Sequence, residues 1–80
     1  MVDKNLLMKH TYEWLADHDI TLNIYIDGYS VRIIMTQGKD HIALSMSHGD
    51  WLEIEQDPFK FRQMIIAMYE RMRDDRLEKW

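Results

Sequence analysis

The chain contains no cysteine, so disulfides and thiolate zinc sites are excluded outright. Proline appears once and glycine three times, which leaves little room for Gly-rich phosphate loops or Pro-rich linkers. No apolar run approaches the roughly 20 residues needed to span a bilayer. The N-terminal stretch lacks the basic segment and apolar core of a secretion signal. Basic excess is also missing, since the formal net charge is −4. A general nucleic-acid binder depends on basic residues that neutralise phosphates, so direct nucleic-acid binding is not expected. A cysteine-free chain suits a reducing cytoplasm, and the sequence places the protein there, with no membrane association.

What is present is patterning. Leu22, Ile24 and Ile26 alternate with polar neighbours; so do Val31, Ile33 and Met35, and then Ile42, Leu44 and Met46. A period of two marks strands with one buried face. Asp27-Gly28 reads as a two-residue hairpin turn, because glycine tolerates the positive φ such turns need. Gln37 to Asp40 reads as a longer connection. The three apolar rows therefore share one face of an antiparallel meander, and the flanking segments must cover it.

Those flanking segments are helical in pattern. The first runs from about Lys4 to about His18, with Asp3 as N-cap and Leu7, Thr11, Trp14, Leu15 and His18 near one stripe. The last starts at Asp57-Pro58, where both residues favour a helix beginning, and can continue to Lys79. Phe61, Ile65, Met68 and Met72 form its core stripe, with Met64 and Tyr69 at the edges. Between sheet and last helix, Trp51 to Glu55 supports two readings. Leu52 and Ile54 alternate with Glu53 and Glu55 as a fourth strand would, whereas Asp50 with Glu53 matches a capping box for a short helix. The clean stop at Asp57-Pro58 favours the strand. The expected fold is one α+β domain over residues 1–80: a helix, a three- or four-stranded antiparallel meander and a long C-terminal helix, with both helices on one face of the sheet.

No catalytic or cofactor motif accompanies this pattern. Histidines 10, 18, 41 and 48 lack metal-ligand spacing, and Ser30, Ser45 and Ser47 lack a recognisable base and orienting group. The paired acids read as solvated faces, and an 80-residue chain has little room for a deep pocket. No enzyme activity and no cofactor are expected. Among the methionines, Met35, Met46, Met68 and Met72 read as core filler.

The remaining asymmetry is charge. Residues 50–57 hold Asp50, Glu53, Glu55 and Asp57 with no basic residue, beside Trp51, a typical interface anchor. These five residues are the expected partner-binding site. On a strand, Glu53 and Glu55 would repeat at about 6.6 Å, a row that could imitate a phosphate backbone in a basic protein groove. The alternative is a solvated strand edge guarded by its charges. The basic cluster Arg71, Arg73, Arg76 and Lys79 is interrupted by Asp74, Asp75 and Glu78.

The order helix, three strands, helix over residues 4–79 resembles the double-stranded RNA-binding domain in topology. That family opens its second helix with a lysine cluster. Here the matching stretch is Asp57-Pro58-Phe59-Lys60-Phe61-Arg62, so RNA binding by that route is not implied. In size, acidity and topology the chain also resembles anti-CRISPR inhibitors. The sequence thus points to a small non-catalytic protein-binding module, an inhibitor of a host nucleic-acid-binding machine carried by a phage or mobile element. The alternative is a structural or homodimeric accessory protein that pairs through Phe59, Met64, Ile66 and Trp80 on the last helix.

Overall fold

A computed structural model of the protein describes residues 3–78, with side chains as far as Asp74. Helix α1 (Lys4–Asp17) leads into strands β1 (Thr21–Ile26), β2 (Val31–Gln37) and β3 (Asp40–Met46), followed by helices α2 (His48–Gln56) and α3 (Pro58–Glu78). The strands form an open antiparallel sheet in the order β1-β2-β3. The side chains of Asp75, Arg76, Lys79 and Trp80 lie outside the described residues.

Local chemistry sets the helix ends. The Asp3 carboxylate accepts the Asn5 and Leu6 amides at 2.9 and 3.3 Å, which satisfies donors that the first turn leaves free. The other end of α1 closes with Asp19 at φ +55. There Ile20 N–H donates to Leu15 O at 2.9 Å and Asp19 N–H to Ala16 O at 3.0 Å, the paired bonds of a Schellman stop. Aspartate tolerates this left-handed position better than most residues. Gln37 Nε2 then donates to His18 O at 2.7 Å and ties this end to β2. At α3, the Asp57 carboxylate accepts the Phe59 amide at 3.0 Å, with Pro58 at the first helical position as the sequence suggests.

The two hairpins exchange the lengths expected of them. Ile26 pairs with Val31, so the first loop has four residues, Asp27 to Ser30. Asp27 Oδ1 accepts the Tyr29 and Ser30 amides at 2.7 and 2.8 Å, and Gly28 does not use positive φ. The side chain of Asp27 shapes this turn, not the glycine after it. In the second hairpin Gln37 pairs with Asp40. Gly38 and Lys39 make the two-residue turn, with Gly38 at φ +60. Glycine is required there and not at residue 28.

The fourth strand does not form. Residues 48–56 are helical, and the cap is Ser47, three residues before the one the sequence suggests. Its Oγ accepts the Asp50 amide at 3.2 Å, and its carbonyl accepts Trp51 N–H at 3.0 Å. Alternation over five residues fits either period, because Trp51 and Ile54 are also spaced to share a helix face. The helix turns those two inward and leaves Leu52 outside. The extra helix also separates this order of elements from that of the double-stranded RNA-binding domain.

The core sits between the central strand and the helices. Val31, Ile33 and Met35 are fully covered and cluster with Leu15, Trp51, Phe61, Met64, Ile65, Met68 and Met72. Registers Leu22↔Met35, Ile24↔Ile33 and Ile26↔Val31, then Val31↔Met46, Ile33↔Leu44 and Met35↔Ile42, put the three apolar rows on one face as expected. Their burial is unequal. Leu22, Ile42 and Met46 are half-buried, Leu44 is 38% exposed and Ile26 is 64% exposed. One layer of helices covers the middle of a three-stranded sheet and cannot reach both margins. Helices are about 10–12 Å across, and the thinnest dimension of the Cα trace is 16 Å. The opposite face carries Asn23, Tyr25, Arg32, Ala43 and Ser45, all exposed, with Ile34 half-buried among them.

Candidate functional site

Helix α2 separates the five residues of the acidic block. Trp51 is 8% exposed and belongs to the core, so the aromatic anchor is turned away from any partner. Asp50 lies exposed in the first turn of α2, where the helix dipole favours a carboxylate. Glu53 is exposed and pairs with Lys60 at 3.8 Å. Both side chains are mostly in solvent, so the pair adds little stability. Glu55, also exposed, points about 200° around the helix from Glu53. Asp57 is half-buried and occupied in capping α3. The expected carboxylate row at strand spacing is therefore absent. In its place stands a corner where Glu53 and Glu55 flank an exposed apolar residue, Leu52, with Asp50 on the far side of the helix from it and a second exposed apolar residue, Phe59, just past the Asp57 junction.

The sequence gives no prominence to Leu52 and Phe59. The signal was present: once Trp51 and Ile54 are assigned inward on a helix, Leu52 has to face out. Of the α3 residues considered for dimerisation, Phe59 is exposed, Ile66 is half-buried and Met64 is in the core.

Next to this corner, α1, α2, α3 and β1 enclose an apolar cleft of about 490 Å³. Met8, Tyr12, Leu22, Ile24 and Phe61 line it together with Glu55. Across the molecule, Asp27 and Arg32 share a shallow hollow on the open sheet face with Tyr25 and Ile34. His48 Nε2 lies 2.6 Å from the Asp27 carbonyl. A carbonyl can only accept, so this nitrogen carries the proton. The bond ties the first hairpin to the start of α2. At the opposite end, Trp14 stacks on His18 with centroids 4.2 Å apart and meets Tyr69 edge-on at 5.1 Å. Among the described residues no group of three or more His, Asp or Glu side chains could hold a metal ion, and no helix is long and apolar enough to cross a membrane.

The two backbone amides from Tyr29 and Ser30 hold the Asp27 carboxyl below its ordinary value of 3.8, with smaller help from His48 and Arg32. A depressed carboxyl stabilises the fold above the unfolded pKa, and that contribution is lost as pH falls through the folded value. The Asp27→Asn variant keeps an oxygen acceptor and loses the charge. Urea titrations from about pH 6 down to about pH 2.5 should show a constant gap between parent and variant above 3.8, narrowing below it. A gap independent of pH would show that the charge adds nothing to this turn.

No protein-family model, curated protein or solved structure matches this chain.

Proposed function

We propose that this chain is a small non-catalytic protein-binding module whose contact surface is the acidic corner formed by α2 and the start of α3. The observation that carries the reading is Leu52. It is 53% exposed on the outer side of α2, flanked around the helix by Glu53 at about 100° and Glu55 at about 60°. Apolar area flanked by one sign of charge suits a protein surface with an apolar centre and a basic rim. Phe59 extends the apolar part, and Lys60 offsets only Glu53.

A basic groove of the kind that nucleic-acid machines present has this chemistry. An inhibitor encoded by a phage or mobile element is the biological class that the size, charge and topology support. The phosphate-backbone mimicry that a strand would supply is not part of this proposal. The helix offers charge around an apolar anchor, with no ladder of carboxylates.

The test begins with the partner recovered by pull-down from the native host and identified by mass spectrometry. Reversing Glu53 and Glu55 together to Lys should move stability by only about 0.5 kcal/mol, because both are exposed. Association with the purified partner should slow and its salt dependence flatten. Equal affinity and an equal salt slope would remove this corner as the contact. Asp57 stays unaltered in that experiment, since losing a cap would mix stability with binding.

A further inference from the structure

We propose that the free edge of β1 pairs with the β1 edge of a second copy of this chain, antiparallel about Ile24, to give a two-fold dimer with one continuous sheet. Strand β1 is an outer strand of the sheet, and β2 is its one neighbour among the described residues. Alternate residues of a strand direct their backbone polar groups to opposite sides. The bond from Asp27 N–H to Ser30 O at 3.1 Å fixes the phase. With the register Tyr25↔Arg32 and Asn23↔Ile34, the odd-numbered residues of β1 bond to β2. Leu22, Ile24 and Ile26 therefore present their N–H and C=O groups outward.

The same three residues carry the apolar row on the helix side. Leu22 is half-buried, while Ile24 and Ile26 are exposed. An edge of this kind, rich in β-branched and aromatic residues, is a template for another strand. Natural edges are usually blunted by lysine, proline or a bulge. Between Thr21 and Ile26 there is no charged residue and no proline, and every residue of β1 pairs in register with β2 without a bulge.

The chemistry of the occupant follows from this edge. It must offer an uncharged strand with apolar residues at alternate positions on the helix side, and β1 itself does so. Antiparallel pairing about Ile24 sets Ile24 against its symmetry mate and Leu22 against Ile26, which joins the two apolar rows. On the open face Asn23 meets Tyr25. Asp27 falls opposite Thr21 and Asp19 opposite Tyr29, so no acid faces an acid. Such an interface is isologous and closes at two subunits. The outer edge of β3 is different: Arg71 borders the hollow between Ile42, Leu44 and α3, and a two-fold contact there would bring like charges together. The dimer uses the outer edge of β1, and of the two acids reversed above only Glu55 lines the cleft that Leu22 and Ile24 share, so Glu53→Lys alone should leave the dimer intact.

Sedimentation velocity on the full chain over a wide concentration range is the test. The parent should rise from 9.8 kDa toward twice that mass as concentration increases. Ile26→Lys alters the most exposed apolar position of the strand and should remain monomeric over the same range, with an unchanged circular dichroism spectrum. Because the chain has no cysteine, register can be read directly. Ile24→Cys should form a symmetric disulfide under mild oxidation, since directly opposed residues of this kind sit about 5.5 Å apart, and Ser45→Cys on β3 should not. A parent that stays monomeric throughout would overturn the proposal. So would a dimer that survives Ile26→Lys and cross-links at residue 45 rather than 24.

Discussion

Replacing Trp51 by alanine is expected to cost about 3–5 kcal/mol, a large share of the stability of a domain this small. The indole is the buried side chain of α2, and it joins Leu15 and Phe61 in the core. Without it, α2 keeps half-buried Ile54, the Ser47 cap and the junction at Asp57. Urea denaturation followed by far-ultraviolet circular dichroism measures the cost. An unfolding midpoint equal to the parent's would mean that α2 is held by other contacts. The result also governs how binding experiments are interpreted. Lost partner binding in a Trp51 variant would report a damaged core, whereas Leu52 and the exposed acids can be altered with the fold preserved.

Ile33→Ala should have a comparable effect, about 2–5 kcal/mol. Ile33 has 0% exposure at the centre of β2, with Ile24 and Leu44 beside it in register and α3 in the same core cluster. Its removal leaves a cavity that neighbours on three elements would have to fill. Leu44→Ala should cost less, about 1–2 kcal/mol, since part of its side chain is already in water. The alternation of the sequence gives the two positions equal standing. Equal destabilisation of the two variants would show that the β3 margin is covered as deeply as the centre.

The sheet was legible because its signals are local and redundant. Three alternating rows, two turns and the chain order admit one meander, and the observed registers place all three rows on one face. Helix ends at Asp3 and at Asp57-Pro58 were equally legible, because a cap depends on atoms a few residues apart. The turns were harder. Asp27-Gly28 and Gly38-Lys39 each contain a glycine, and the loop lengths depended on which residues form the innermost pair of each hairpin, Ile26 with Val31 and Gln37 with Asp40. The acidic block was legible as charge and misjudged as geometry, since the short run from Trp51 to Glu55 fits a strand or a helix about equally well.

Residue pattern alone therefore determined the class, the strand rows, the long last helix and most of the core. Tertiary structure decided which apolar residues stay wet. A single layer of helices buries the β2 row and leaves Ile24, Ile26 and Leu44 at the margins. It also decided the surface of α2, turning Trp51 in and Leu52 out. The physical reason is that periodicity reports which face a side chain takes relative to its own backbone. How much of that face is covered depends on the width and placement of the neighbouring layer, which no single segment encodes.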